Sequence, residues 1–173
     1  MRSCPVCLSA DADVLWRSEF LVPDGWTKPE YVDWKKCIHC GMIYGHNDEV
    51  TQEDFSIYYQ ERYGYGVVDD QVNYRIAKRA GYIRDHYRRN ARIVDFGGGE
   101  SGLKLLLGNI GFTDVTNYQV GDIMPPLADC IIAEHVLEHI YDLETAMHLI
   151  ETSLKDGGML IVDIPDAGRI GWD

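Results

Sequence analysis

The 173-residue chain is short of positive charge: 16 lysines and arginines stand against 28 aspartates and glutamates, a formal net charge of −12. Such a surface repels a polyanion, so no nucleic-acid partner is expected. Long hydrophobic runs are also missing. No stretch approaches the ~18 consecutive apolar residues that span a bilayer, and the opening MRSCPVCLSA holds no apolar segment that would serve as a signal peptide. The expectation is a cytoplasmic protein without a membrane partner. Apolar content, by contrast, is not lacking. At 46% hydrophobic, a chain of this length can bury a core without disulfide staples.

The scarce positive charge is concentrated. Residues 1–74 carry 6 basic and 13 acidic groups (−7), residues 75–92 carry 7 and 1 (+6), and residues 93–173 carry 3 and 14 (−11). The basic segment YRIAKRAGYIRDHYRRNAR, with Val72 ahead of it and Ile76, Ala80, Ile83 and Tyr87 within it, predicts an amphipathic helix with a solvated basic face. Docking of an anionic substrate or a phosphate is the functional alternative.

Five cysteines are present, and four fall as Cys4-x2-Cys7 and Cys37-x2-Cys40. Each CxxC turn brings two thiolates toward one point, and two such knuckles supply the four-sulfur tetrahedron that Zn²⁺ prefers. Disulfides fit poorly with a cytoplasmic chain. Four thiolates close the coordination sphere, so the zinc is read as structural, and His39 and His46 are not needed as ligands. Between the knuckles, strand-like stretches are broken by Pro23-Asp24-Gly25, which suits a small β-ribbon. Cys130, between Ala128 and Ile132, is read as a core residue.

From residue 91 the pattern becomes that of alternating strands and helices. ARIVDF predicts a short buried strand, and Gly97-x-Gly99-x-x-Gly102 follows it at the head of the apolar helix LKLLLGNI. Glycines at this spacing let the backbone turn tightly and approach a ligand beside exposed helix amides. The next strand, DVTNYQ, ends on Gln119 where an acidic residue usually holds ribose hydroxyls, and Asp122 follows three residues on. Ala128 to Ala133 predicts a buried strand. Asp142 is a plausible N-cap for a helix with Leu143, Met147, Ile150 and Leu154 inward, closed by Lys155 and Gly157-Gly158 before the strand MLIVDIP.

DFGGGESG, AEHVLEHI and LKDGGMLIVDIP together resemble the motif series of class I S-adenosylmethionine-dependent methyltransferases, in a subgroup with an N-terminal four-cysteine zinc ribbon. Several such enzymes act on sugars, and FSIYYQERYGYG resembles the link after the ribbon in that group. The resemblance implies a Rossmann-like parallel sheet in an α/β domain, preceded by a small β zinc ribbon. The implied division is a ribbon at 1–50, a tyrosine-rich link and amphipathic helix at 51–90, and a cofactor-binding domain at 91–173. That domain is expected to lack the last strands of the seven-stranded family core, which would leave a sheet edge for a homodimer partner. By the resemblance, Asp95, Gly97, Gly99 and Gly102 line the methionine and ribose side of S-adenosylmethionine, and Gln119 and Asp122 sit by ribose and adenine. Glu134 and His135 face its methionyl part and the substrate, a small molecule such as a nucleotide-linked sugar. Tyr63 and Tyr65 either lid the site or pack in the core.

His135-x-x-Glu138-His139 also matches an inverted zinc-peptidase motif, but it follows a strand instead of lying within a long helix. Related quinone-pathway enzymes suggest a divalent ion on His135, Glu138 and His139, although two imidazoles suit Mg²⁺ poorly. As a catalytic residue His135 is the expected general base; its alternative role is to anchor its loop. The competing reading for the whole chain is a non-catalytic module that keeps the fold for partner binding.

Overall fold

The computed structural model describes residues 3–19, 27–47, 49–51, 53–54, 70–99, 102–119, 122–140 and 142–164. The chain forms two compact units, Met1–Tyr65 with Tyr141–Glu144, and Gly66–Ile140 with Thr145–Asp173. In the first unit, β1 (Ala12–Glu19), β2 (Tyr31–Cys37) and β3 (Ile43–His46) make an antiparallel sheet in the order β1-β2-β3. Aromatic residues with high strand preference set its register. Trp16 lies opposite Trp34 with the rings stacked 5.5 Å apart, and Trp34 Nε1 donates to Ser18 Oγ at 2.9 Å. Arg17 forks onto both oxygens of Asp33 and lies over the Tyr31 ring. Among the described residues of this unit, Cys4, Cys37 and Tyr44 form a buried apolar cluster with Cys7 and Ala12 against it.

The second unit is an α/β sandwich. After α1 (Asp70–His86), the chain runs β4 (Arg92–Phe96), α2 (Gly102–Asn109), β5 (Asp114–Tyr118), β6 (Ala128–Glu134), α3 (Leu143–Ser153) and β7 (Leu154–Asp163). The four strands are parallel, in the order β5-β4-β6-β7. Both faces of this sheet are covered, and the period-2 alternation of strand side chains divides the core in two. Ile93, Cys130 and Ile132 pack with Ile76, Ala80 and Ile83 of α1 and Leu103 and Leu107 of α2. Val94, Ile131 and Ala133 pack with Ala146 and Ile150 of α3. Among the described residues no helix is long and apolar enough to cross a membrane.

The expected α/β class with a small β-ribbon is the architecture observed, and Cys130 is fully buried as expected. Two local expectations are corrected. The inner stripe of α3 is Ala146, Ile150 and Ser153, and Met147 is exposed, because the small Ala146 seats the helix against the sheet. Lys155 and Gly157-Gly158 do not close the helix. It ends at Ser153, and Lys155–Gly158 bulge from β7 between the Ala128–Leu154 and Cys130–Met159 pairs. Gly157 takes a φ of +74° there, and Lys155 pairs with the Asp129 carboxylate.

Candidate functional site

In the first unit, the backbone folds each CxxC into a turn that aims N–H groups at sulfur. Leu8 N–H donates to Cys4 O at 3.0 Å and Gly41 N–H to Cys37 O at 2.9 Å, with Leu8 and Gly41 in the left-handed region. Cys4 Sγ lies 3.6 Å from Cys40 Sγ, Cys7 Sγ lies 3.5 Å from Cys37 Sγ, and all four ligand atoms fall within 4.8 Å of one another. Four sulfurs at Zn–S distances of ~2.3 Å have tetrahedral edges of ~3.8 Å, so the spacing fits zinc. Backbone N–H bonds, chiefly from Cys40, pull the Cys37 thiol down to about 6. At Cys7 the backbone bond from Ser9 pulls down, but burial and the three neighbouring thiols push the group up to about 12.

The second unit gathers charge at the carboxyl ends of its strands. Strand parity explains it: Asp95, Glu134 and Asp163 share the sheet face of Ile93, Ile132 and Ile161, which is the face that α1 covers. Glu134 and Asp163 are direct neighbours in register, and two carboxylates so placed repel unless a cation lies between them. Arg79, 9% exposed, is that cation. Its Nη2 donates to Asp163 Oδ2 at 2.9 Å, and its Nη1 pairs with Glu134 Oε2. Burial lowers the Arg79 pKa, while Asp163 and Asp95 hold it up. One helical turn earlier, Arg75 places Nε 3.8 Å from Glu134 Oε1 and Nη1 2.8 Å from His135 Nε2.

His135 ends β6 in a left-handed backbone conformation, φ +47°. Its N–H donates to Asp163 O at 2.8 Å, and its Nδ1 lies 3.2 Å from Glu138 Oε1 in the short 3₁₀ turn Leu137–His139. Burial, and more weakly His135, lower the His139 pKa against the pull of Glu138. A divalent ion on His135, Glu138 and His139 does not fit this arrangement. Both nitrogens of His135 are engaged, Nε2 by a guanidinium, and the potential ligand cluster is instead Glu134, His135 and Asp163, which the arginines already neutralise.

The glycine loop joins β4 to α2. Gly97 and Gly99 take φ of +74° and +55°. A Cβ on Gly97 would strike the Val136 side chain, and one on Gly98 would strike the Asp95 carboxylate, which is buried beneath the loop. Gly99 differs: among the described residues the one atom within 4 Å of a Cβ there is Gln119 Nε2 at 3.9 Å. Asn117 on β5 holds the loop, its Nδ2 donating to Gly99 O at 2.8 Å. Gln119 and Asp122 close a turn, Gln119 N–H donating to Asp122 Oδ2 at 3.1 Å and Asp122 N–H to Gln119 O at 3.0 Å. The Asp122 carboxylate therefore has a structural task of its own. Gly102 opens α2, with the tip of Ile76 3.8 Å from where its Cβ would be. Tyr63 and Tyr65 lie outside the described residues.

The structure thus brings Asp95, Glu134 and His135 to one end of the sheet, and it adds residues that sequence reasoning missed: Arg75, Arg79, Asp163 and Asn117. The basic face of α1 is not simply solvated. Arg79 lies three residues from Ile76 and four from Ile83, at the margin of the apolar stripe, and that offset was the available signal.

A family model described as a methyltransferase domain matches residues 68–172. The match spans more than half of the chain, which therefore belongs to the methyltransferase-domain family. Among curated proteins no sequence matches.

Proposed function

We propose that this protein is an S-adenosylmethionine-dependent methyltransferase acting on a sugar or another small metabolite, with a structural zinc in its N-terminal ribbon. The observation that carries the reading is the left-handed backbone at Gly99, which among the described residues has only Gln119 near its Cβ position, at the carboxyl end of β4 in a domain of the methyltransferase family. The cofactor, when bound, supplies a methyl group activated on a sulfonium. Gly97, Gly99 and Gly102 would carry the backbone close to it, and the Gln119 amide and Asp122 would meet ribose and adenine. Asp95, Glu134 and Glu138 outnumber the two arginines around them, a balance that suits a cationic ligand. Glu134 Oε1 and Arg75 Nε are buried without a hydrogen bond, and both suit the zwitterionic end of an amino acid. His135 would accept the proton of the substrate nucleophile, with catalysis resting mainly on position and exclusion of water. The site is assigned to a cytoplasmic protein with a small-molecule substrate, nucleotide-linked sugars included, and a homodimer that size-exclusion chromatography would reveal.

Calorimetric titration of the zinc-loaded protein with S-adenosylmethionine and S-adenosylhomocysteine tests this, with Gly99→Arg as control. Saturable binding that the control abolishes is expected; no binding to folded protein sinks the reading. One observation favours a second reading, a non-catalytic module for partner binding: Glu134 and His135 are both held by arginines. Absence of binding in the same titration is its expected outcome.

A further inference from the structure

His135 is contacted at both ring nitrogens, and the chemistry of the two partners defines its proton. A guanidinium has no acceptor, so Arg75 Nη1, 2.8 Å from Nε2, must donate there. A proton on Nε2 would set two donors face to face. On the other side an ionised carboxylate has no donor, so Glu138 Oε1, 3.2 Å from Nδ1, must accept. Both partners are satisfied by one state alone, a neutral ring with its proton on Nδ1 and its lone pair on Nε2. We infer that Arg75 is a positioning residue, which from α1 holds His135 in the Nδ1–H tautomer and so makes Nε2 the proton-accepting atom.

The surroundings agree with that role. The His135 backbone is clamped to β7 by its N–H bond to Asp163 O and bent at φ +47°, so the ring has a fixed origin. Arg79 takes up Glu134 and Asp163, and Arg75, with Nε toward Glu134 Oε1, points Nη1 at the imidazole. The charged and titratable groups around the ring are Arg75 from α1, Glu134 beside it, Asp163 on β7 with Arg79 paired to it, and Glu138 and His139 in the following turn. An isolated neutral imidazole favours the Nε2–H form, so the state required here must be imposed.

The consequence for catalysis rests on the reading of His135 as proton acceptor, but the tautomer does not, and the experiment separates them. Long-range ¹H–¹⁵N correlation spectra of the zinc-loaded full chain, at mildly alkaline pH, distinguish a protonated ring nitrogen from one with a lone pair. His135→Gln identifies the signals by subtraction. Wild type is expected to show a protonated Nδ1, Glu138→Leu retention of Nδ1–H because Arg75 remains, and Arg75→Met made in the Glu138→Leu background a shift to the Nε2–H form. A wild-type ring protonated on Nε2 overturns the inference, and that spectrum decides even if Arg75→Met does not fold. A ring still protonated on Nδ1 in the Arg75→Met, Glu138→Leu double variant, or a Glu138→Leu ring shifted to Nε2–H, overturns it as well. A tautomer that switches in protein that binds no S-adenosylmethionine keeps the positioning role and removes the methyltransferase reading instead.

Discussion

Gly97 and Gly99 share a left-handed backbone but not a neighbourhood, and that difference separates structure from ligand at single-residue resolution. Gly97→Ala adds a collision with Val136 to the left-handed penalty and should lower unfolding free energy by about 2–4 kcal/mol. Gly99→Ala meets no such obstacle among the described residues and should cost only about 1–2 kcal/mol, while weakening cofactor binding in the titration above; denaturant melts of both variants check the ordering. Arg79 is the other decisive residue. Arg79→Met leaves Glu134 and Asp163 facing each other without their cation and should cost about 3–5 kcal/mol. In a Glu134→Gln background the same change should cost distinctly less, and equal costs in the two backgrounds would show that the ion pair is not what Arg79 contributes.

At the scale of elements, the knuckles at the start of the chain and between β2 and β3 show how protons oppose the metal. Cys37, drawn down to about 6, is already a thiolate at neutral pH, whereas Cys7, pushed up to about 12, and Cys40, also raised, are thiols. Zinc uptake at neutral pH should therefore release at least two protons, read from titrations in buffers of differing ionisation enthalpy. Acidification should weaken binding steeply once pH falls through about 6, where Cys37 takes up its proton as well. The ribbon was legible in the sequence because metal chemistry demands a residue type at a fixed local spacing. The strand, glycine turn and helix from Arg92 to Asn109 were legible for the same reason, as each signal lies within a few residues. The counterions were not. Arg79 and Asp163 are 84 positions apart, and only the register of β6 against β7 makes Asp163 the neighbour of Glu134. Met147 was misassigned because adjacent stripes of α3 are both apolar, and the size of Ala146, not periodicity, chose between them.

At the scale of the whole molecule, two cores with different sources of cohesion predict two responses to heat. Chelation should abolish the ordered ribbon and leave a cooperative transition of the parallel-sheet unit near its original midpoint, followed by far-ultraviolet dichroism and by Trp16 and Trp34 fluorescence. A single transition that moves as one on chelation would show that the two cores melt together. The position of α1 in the chain carries a last consequence, for how this protein can be cut. The glycine loop, Asp95, Glu134, His135 and Asp163 all follow residue 91, and a fragment begun there would look complete by its motifs. It would nonetheless lack both arginines, so its two in-register carboxylates would repel across the sheet and its histidine would lose the donor at Nε2. The smallest autonomous piece therefore begins before α1, whose arginines balance the carboxylates and whose Ile76, Ala80 and Ile83 complete the apolar face of the sheet.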